Sequence, residues 1–260
     1  MPDIVLHQFR ASHFNDKVRW ALAWKGLKHK RISYLPGLHA RPMQEISGQR
    51  QTPVLVIDGK AIAGTSAIIA ALEALKPAPP LYPADAALRA QALAIEKRFD
   101  DEIGPATRSI VFGVLVDELD YMVRLFGHGE KWLKRFIYRR AVPRAVPMVR
   151  RLNGVNTANI ARSEKLVAEA LDWIAAETKA KPYLVGDAFS VADLAAAALM
   201  SPLCVLDHPD MCPRPPVPKA MADLHARYAD HPGMKWVQAR YRDNRPADPQ
   251  QAHASGDGPT

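Results

Sequence analysis

Hydrophobic and polar residues alternate from Ile4 to Phe9 with the two-residue period of a strand, and the period then changes. Over residues 15–25 it becomes helical, with Val18, Ala21 and Leu22 on one face. Gly26 supplies a left-handed stop, and residues 31–35 read as a second strand. A strand, helix, strand succession favours a parallel pair. A short helix follows near residues 43–46. Thr52-Pro53 then leads into Val54-Leu55-Val56-Ile57, an Asp58-Gly59 turn and Lys60-Ala61-Ile62, the pattern of a hairpin. From Thr65 onward Ile68, Ile69, Leu72 and Leu75 fall at helical spacing, with Thr65 or Ser66 placed to cap the helix. The order is β-α-β-α-β-β-α.

Lys76-Pro77-Ala78-Pro79-Pro80-Leu81-Tyr82-Pro83 cannot continue that helix, because its prolines lack the donor and restrict the residues before them. The chain therefore divides into a first domain over residues 1–76, a Pro-rich linker over 77–84 and an all-helical domain over 85–244. The fold class expected is α/β followed by all-α. Residues 245–260 are polar, with Pro and Gly, and are expected to be a disordered tail. Pro143 and Pro147 interrupt the basic stretch, so residues 104–160 are expected to form several helices with kinks rather than one long helix.

With 48% hydrophobic and 24% charged residues, the composition is that of an ordinary globular protein. No apolar run has the roughly 20 residues that cross a bilayer, and the N-terminus has no signal-peptide pattern, so the chain reads as cytoplasmic. Cys204 and Cys212 show neither a C-x-x-C spacing nor metal-ligand neighbours, which argues against a disulfide framework or a metal site. The formal charge is +8, and nine Lys or Arg between Arg124 and Arg151 face one acid, Glu130. That segment reads first as a solvated helix face, with attraction to an anionic substrate, an acidic partner or a phospholipid surface as alternatives. No nucleic-acid-binding motif accompanies it.

The β-α-β-α-β-β-α order is that of thioredoxin-like domains, and specific residues sharpen the likeness. Ser12-His13-Phe14-Asn15-Asp16-Lys17-Val18-Arg19-Trp20-Ala21-Leu22-Ala23-Trp24-Lys25-Gly26 resembles the S-P-F-x-x-K/R-V-R-x-A-L-x-x-K-G signature of serine-type glutathione transferases. Thr52-Pro53-Val54-Leu55 is similar to the family's x-P-V-L segment with its cis-proline. Gly64-Thr65-Ser66-Ala67-Ile68 resembles its E-S-x-A-I helix start, and Leu184-Val185-Gly186-Asp187-Ala188-Phe189-Ser190-Val191-Ala192-Asp193-Leu194 its L-x-G-x-x-F-S-x-A-D-L motif. The last is legible without the family: Ser190 and Asp193 form a capping box, with Phe189 placed as a staple. The likeness covers about residues 3–76 and 160–240.

The resemblance implies glutathione as co-substrate, a homodimer, and transfer of the tripeptide to a small hydrophobic electrophile. Glutathione's thiol is mostly protonated at neutral pH, and the reactive form is the thiolate. A hydroxyl between the first strand and a helix N-terminus can stabilise that anion, and Ser12 stands there; a plain helix cap is the other reading. His13 replaces the motif's proline and is expected to face solvent, with a place beside the sulfur, like that of Asn15, as the alternative. The tripeptide would be held by Gln51, Thr52, Pro53, Gly64 and Thr65. Gly64 stands where the family has Glu, so the carboxylate for the γ-glutamyl amino group is missing there. Gln51 is neutral where a lysine is common, leaving Arg41, His39 or Arg10 to supply charge. Phe99, Phe112, Tyr121 and Phe126 are candidates for the second-substrate pocket. The alternatives in function are a non-catalytic binding or scaffold protein of this fold, and a specialised glutathione-dependent lyase, dehalogenase or isomerase.

Overall fold

A computed structural model describes residues 2–247. Strands β1 (Ile4–Gln8), β2 (Lys30–Ser33), β3 (Val54–Ile57) and β4 (Lys60–Ala63) form one sheet in the order β2-β1-β3-β4. The β1–β2 pair is parallel, as the crossover through helix α1 (His13–Trp24) requires, and the other two pairs are antiparallel. Helices α2 (Ala40–Ser47) and α3 (Thr65–Leu75) complete the N-terminal layer, α3 lying beside α1. Gly26 takes φ +58° just past α1, the left-handed stop expected there.

The rest is helical: α4 (Ala86–Arg98), a π-helical turn (Phe99–Ile103), α5 (Gly104–Leu115), α6 (Leu119–Gly127), α7 (Trp132–Leu152), α8 (Thr157–Glu177), α9 (Val191–Met200), a 3-10 turn (Ser201–Leu203), α10 (Lys219–Ala229) and α11 (Pro232–Asn244). This is the α/β-then-all-α class that the sequence predicts. All ten residues of α9 are buried, which suits a helix apolar all round, and it packs between α1, α4 and α11. Among the described residues no helix is long and apolar enough to cross a membrane.

Residues 104–160 are several helices, as expected, but the basic stretch is not broken at its prolines: α7 runs through Pro143 and Pro147, both exposed, where water can satisfy the carbonyls whose donors proline removes. It packs mainly on α6 through Tyr138 and Val142 and turns Trp132, Leu133, Phe136 and Ile137 to solvent beside its arginines. Nor do Thr65 or Ser66 cap α3. Its cap is Gly64 at φ +90°, a conformation that strains any side chain with a Cβ, and both hydroxyls are engaged elsewhere.

Helix α1 is buried nearly throughout and nevertheless carries charge into the interior. Asp16 accepts hydrogen bonds from Arg19, from Arg245 at 2.8 Å and from the Tyr241 hydroxyl at 2.6 Å. Arg19 also pairs with Asp210, which in turn meets Arg31 and Arg245. Lys17 lies between Glu96 and Asp100, and Lys25 reaches Glu73 and the carbonyls of Pro77 and Pro79. Arg245, the first residue of the expected tail, is therefore fixed, its side chain only 2% exposed; residues 248–260 lie outside the described residues. Phe189 stacks on Trp20 and packs on Trp24, joining the motif before α9 to α1. Asp193 accepts from the Ser190 and Leu184 backbone N–H groups and from the Ser190 hydroxyl.

Burial alone would raise the Asp16 carboxyl, but Arg245 and Arg19 hold it below the usual carboxylate value. Asp16→Asn leaves two buried guanidinium groups sharing Asp210 and is expected to lower unfolding free energy by about 3 kcal/mol or more. Urea unfolding at neutral pH measures this; an unchanged midpoint contradicts the buried network.

Candidate active site

The segment joining β1 to α1 brings Ser12 to the helix N-terminus, where four backbone N–H groups lack helical partners. The Ser12 oxygen accepts from the Asn15 N–H at 3.5 Å, a long contact, while its own O–H has no acceptor among the described residues. Cap and donor are thus compatible roles: one oxygen accepts from the helix and its hydrogen remains free for a ligand. Asn15 is fully buried and donates through Nδ2 to the Thr52 hydroxyl at 3.2 Å, with its Oδ1 unpartnered. The first turn of α1 is thereby tied to the Thr52–Pro53 bond, which is cis as the motif implies.

His13 does not face solvent. It is 6% exposed, packs against Phe14, and bonds through Nε2 to the Gly104 carbonyl at 3.0 Å. Burial first, and then the positive charge of Arg108, push its pKa down to about 3, against the Gly104 bond. It is a neutral imidazole with Nε2 donating to the carbonyl, so it is neither a cation for a thiolate nor a base near neutral pH. The sequence misled because Gly104, which buries it, lies 91 residues away.

At the start of α3 the hydroxyls of Thr65 and Ser66 donate to one Asp100 oxygen, at 2.9 and 2.7 Å. Asp100, in the π-helical turn, also accepts from Lys17. Burial pushes the Glu96 carboxyl up, against its bond to Lys17; the Asp100 side chain is the more exposed of the two, at 11% against 3%. Sequence reading missed it inside Asp100-Asp101-Glu102, a run that resembles a solvated face. Around Gly64 there is open space where a side chain would stand. Gln51 is exposed and exchanges hydrogen bonds with the Gln49 amide.

A cavity of about 90 Å³, partly open to solvent, has Arg10, Ala11 and His13, the chain neighbours of Ser12, in its wall. Of the aromatic candidates for a second-substrate pocket, Phe112, Tyr121 and Phe126 line this cavity, joined by Leu125 and Met211; Phe99 is in the core, near Trp173. Arg10 is a cavity residue, whereas His39 packs edge-on against Phe9 and Arg41 pairs on the surface with Glu45. Both free cysteines reach the cavity, and burial pushes the Cys204 thiol up to about 12, so it stays protonated. Arg108 and Arg214 were not singled out from the sequence, although Arg108 is the one charged residue of segment 103–115.

Comparison with known proteins places both halves of the chain. Residues 6–80 match the model of the glutathione S-transferase N-terminal domain and residues 144–219 that of the C-terminal domain. A probable maleylacetoacetate isomerase of Caenorhabditis elegans is 27% identical over 233 residues, covering 88% of this chain and 92% of the relative. Among solved structures, the β-etherase LigF from Sphingobium sp. strain SYK-6 superposes with a TM-score of 0.64 at 19% identity, over 97% of this chain and 99% of that one. A glutathione S-transferase from Methylobacillus flagellatus KT with glutathione bound gives 0.60 at 16% identity, over 94% and 100%.

Because His13 is held neutral when folded and ionises near 6.5 when unfolded, its contribution to stability is present above pH 6.5 and is lost as pH falls toward 3. Between pH 6.5 and 4.5 the wild type is expected to lose on the order of 1 kcal/mol per pH unit more than His13→Gln, which keeps an N–H donor. Urea midpoints of the two proteins across that range decide it; parallel profiles contradict a buried neutral histidine.

Proposed function

We propose, since this chain belongs to the glutathione transferase superfamily, that it is a glutathione-dependent enzyme that activates the tripeptide's thiol at Ser12 and passes it to a small hydrophobic electrophile. The observation that carries this reading is the free Ser12 O–H at the α1 N-terminus, flanked in the chain by residues of the cavity wall.

In this reading glutathione lies along the α1 N-terminus, the Thr52–Pro53 turn and the start of α3. The Thr52 backbone pairs with the cysteinyl unit, and the γ-glutamyl carboxylate takes the α3 N-terminal N–H groups of Thr65 and Ser66. Thr65 has already given its hydroxyl hydrogen to Asp100, so its oxygen acts as an acceptor. The γ-glutamyl ammonium then meets Asp100, which stands in for the carboxylate that Gly64 lacks. Gln51 lies toward the glycyl end.

With the sulfur beside Ser12, the hydroxyl hydrogen bond and the α1 dipole favour the thiolate. His13 is neutral and committed to Gly104, so the thiol proton leaves to water rather than to a protein base. The thiolate then attacks an electrophile lying against Phe112, Tyr121 and Phe126. Likeness to proteins described as an isomerase and a β-etherase supports a specialised isomerisation or lyase reaction as the second reading.

Isothermal titration calorimetry with reduced glutathione tests the site. Wild type is expected to bind, and Asp100→Asn to bind about tenfold more weakly, the loss of one charge-assisted contact. No heat of binding to folded wild type contradicts the enzyme reading and favours a scaffold; equal affinities remove Asp100 from the site.

A further inference from the structure

The cavity that Arg10, Ala11 and His13 help to line holds positive charge that no acid among the described residues pairs with. Arg10, Arg108 and Arg214 line it, and none is paired with a carboxylate among the described residues. Among the described residues Asp210 is the only acid in the lining, and Arg19, Arg31 and Arg245 already occupy it. Arg214 donates to the Pro209 carbonyl, and Arg10 and Arg214 stand close enough to His128 to depress its pKa, after burial itself.

Arg108 is the most constrained of the three. It rises from α5, its guanidinium carbon lies 5.8 Å from the centre of the Phe14 ring, and its Nε is buried without a partner. Burial also lowers its pKa, so the charged form is disfavoured where it stands. A half-buried cation without a counter-charge destabilises a fold, whereas one that meets a ligand anion in a dry pocket binds it strongly. The planar guanidinium suits the two oxygens of a carboxylate. Around it Phe112, Leu125, Phe126 and Met211 offer an apolar wall.

We propose that the second substrate is an organic acid: an apolar body against Phe112 and Phe126, with a carboxylate held by the Arg108 guanidinium. Arg10 and Arg214 add a positive field. This rests on the reading above that the cavity takes the second substrate, and it names that substrate's class and the residue that selects it. A carboxylate of glutathione itself is the competing source of the same chemistry.

The test measures cinnamate and the uncharged cinnamide binding by calorimetry, without glutathione and with it at saturation, for wild type, Arg108→Lys and Arg108→Gln. Cinnamate is expected to bind wild type at least tenfold more tightly than cinnamide, the strength of a charge-assisted pair. That preference should weaken in added salt, persist in part in Arg108→Lys and vanish in Arg108→Gln, with cinnamide and glutathione affinities unchanged. Equal binding of acid and amide by wild type, or binding of neither at millimolar concentration, overturns the proposal and needs no variant. So does a preference that survives in Arg108→Gln. If glutathione excludes cinnamate and Arg108→Gln weakens glutathione, the anion site belongs to the tripeptide and the proposal falls. Acid preference in a protein that does not bind glutathione keeps this site and sinks the enzyme reading instead.

Discussion

The structure depends on the burial of α1 together with its charges. A helix packed between the N-terminal layer and α9 is buried nearly throughout, yet Asp16, Lys17 and Arg19 sit on it and a buried Lys25 follows it. Each needs an opposite charge or a carbonyl from another element. Asp16 draws in α11 through Tyr241 and the residue after it through Arg245; Arg19 draws in Asp210; Lys17 draws in α4 and the π-helical turn; Lys25 draws in the proline linker. Buried ion pairs add little net stability over apolar residues of the same size, but leaving one member alone is severely destabilising. Their effect is therefore on arrangement: the helical layer has few ways to sit against α1 that satisfy all four.

That arrangement positions the site. Ser12 opens the same helix, Asn15 ties its first turn to Thr52, and Lys17 orients Asp100 toward Thr65 and Ser66. The contacts proposed for the cysteinyl and γ-glutamyl units of glutathione thus converge on one element. Gly64 fits the same logic, since its φ of +90° is unstrained in glycine, and in the proposed binding mode Asp100 supplies the carboxylate that its position lacks.

What was legible in the sequence was local. Period changes located the strands and helices of the first layer, and the Asp58-Gly59 turn set the hairpin, because each rests on residues a few positions apart. The place of Ser12 at the α1 N-terminus and the cis Thr52–Pro53 bond were legible through the family signature. What was not legible was long-range. His13 looked like a solvent residue because Gly104 is 91 positions on; Arg245 looked like the start of a tail because Asp16 is 229 positions away. Thr65 looked like a cap because Asp100 reads as one of three surface acids. Pro143 and Pro147 looked like breaks because exposure of one helix face cannot be seen in a window of sequence.

The central claim is that the Ser12 hydroxyl stabilises a glutathione thiolate at the end of a rigidly buried helix. A thiolate absorbance titration of bound glutathione, in wild type and Ser12→Ala with glutathione saturating both, tests it most directly. The account predicts a bound thiol pKa below the free value of about 8.5 in wild type and a rise of about one unit or more in Ser12→Ala, the loss of one charge-assisted hydrogen bond. Equal pKa values in the two proteins, with only a loss of thermal stability in the variant, would contradict it and leave Ser12 a helix cap.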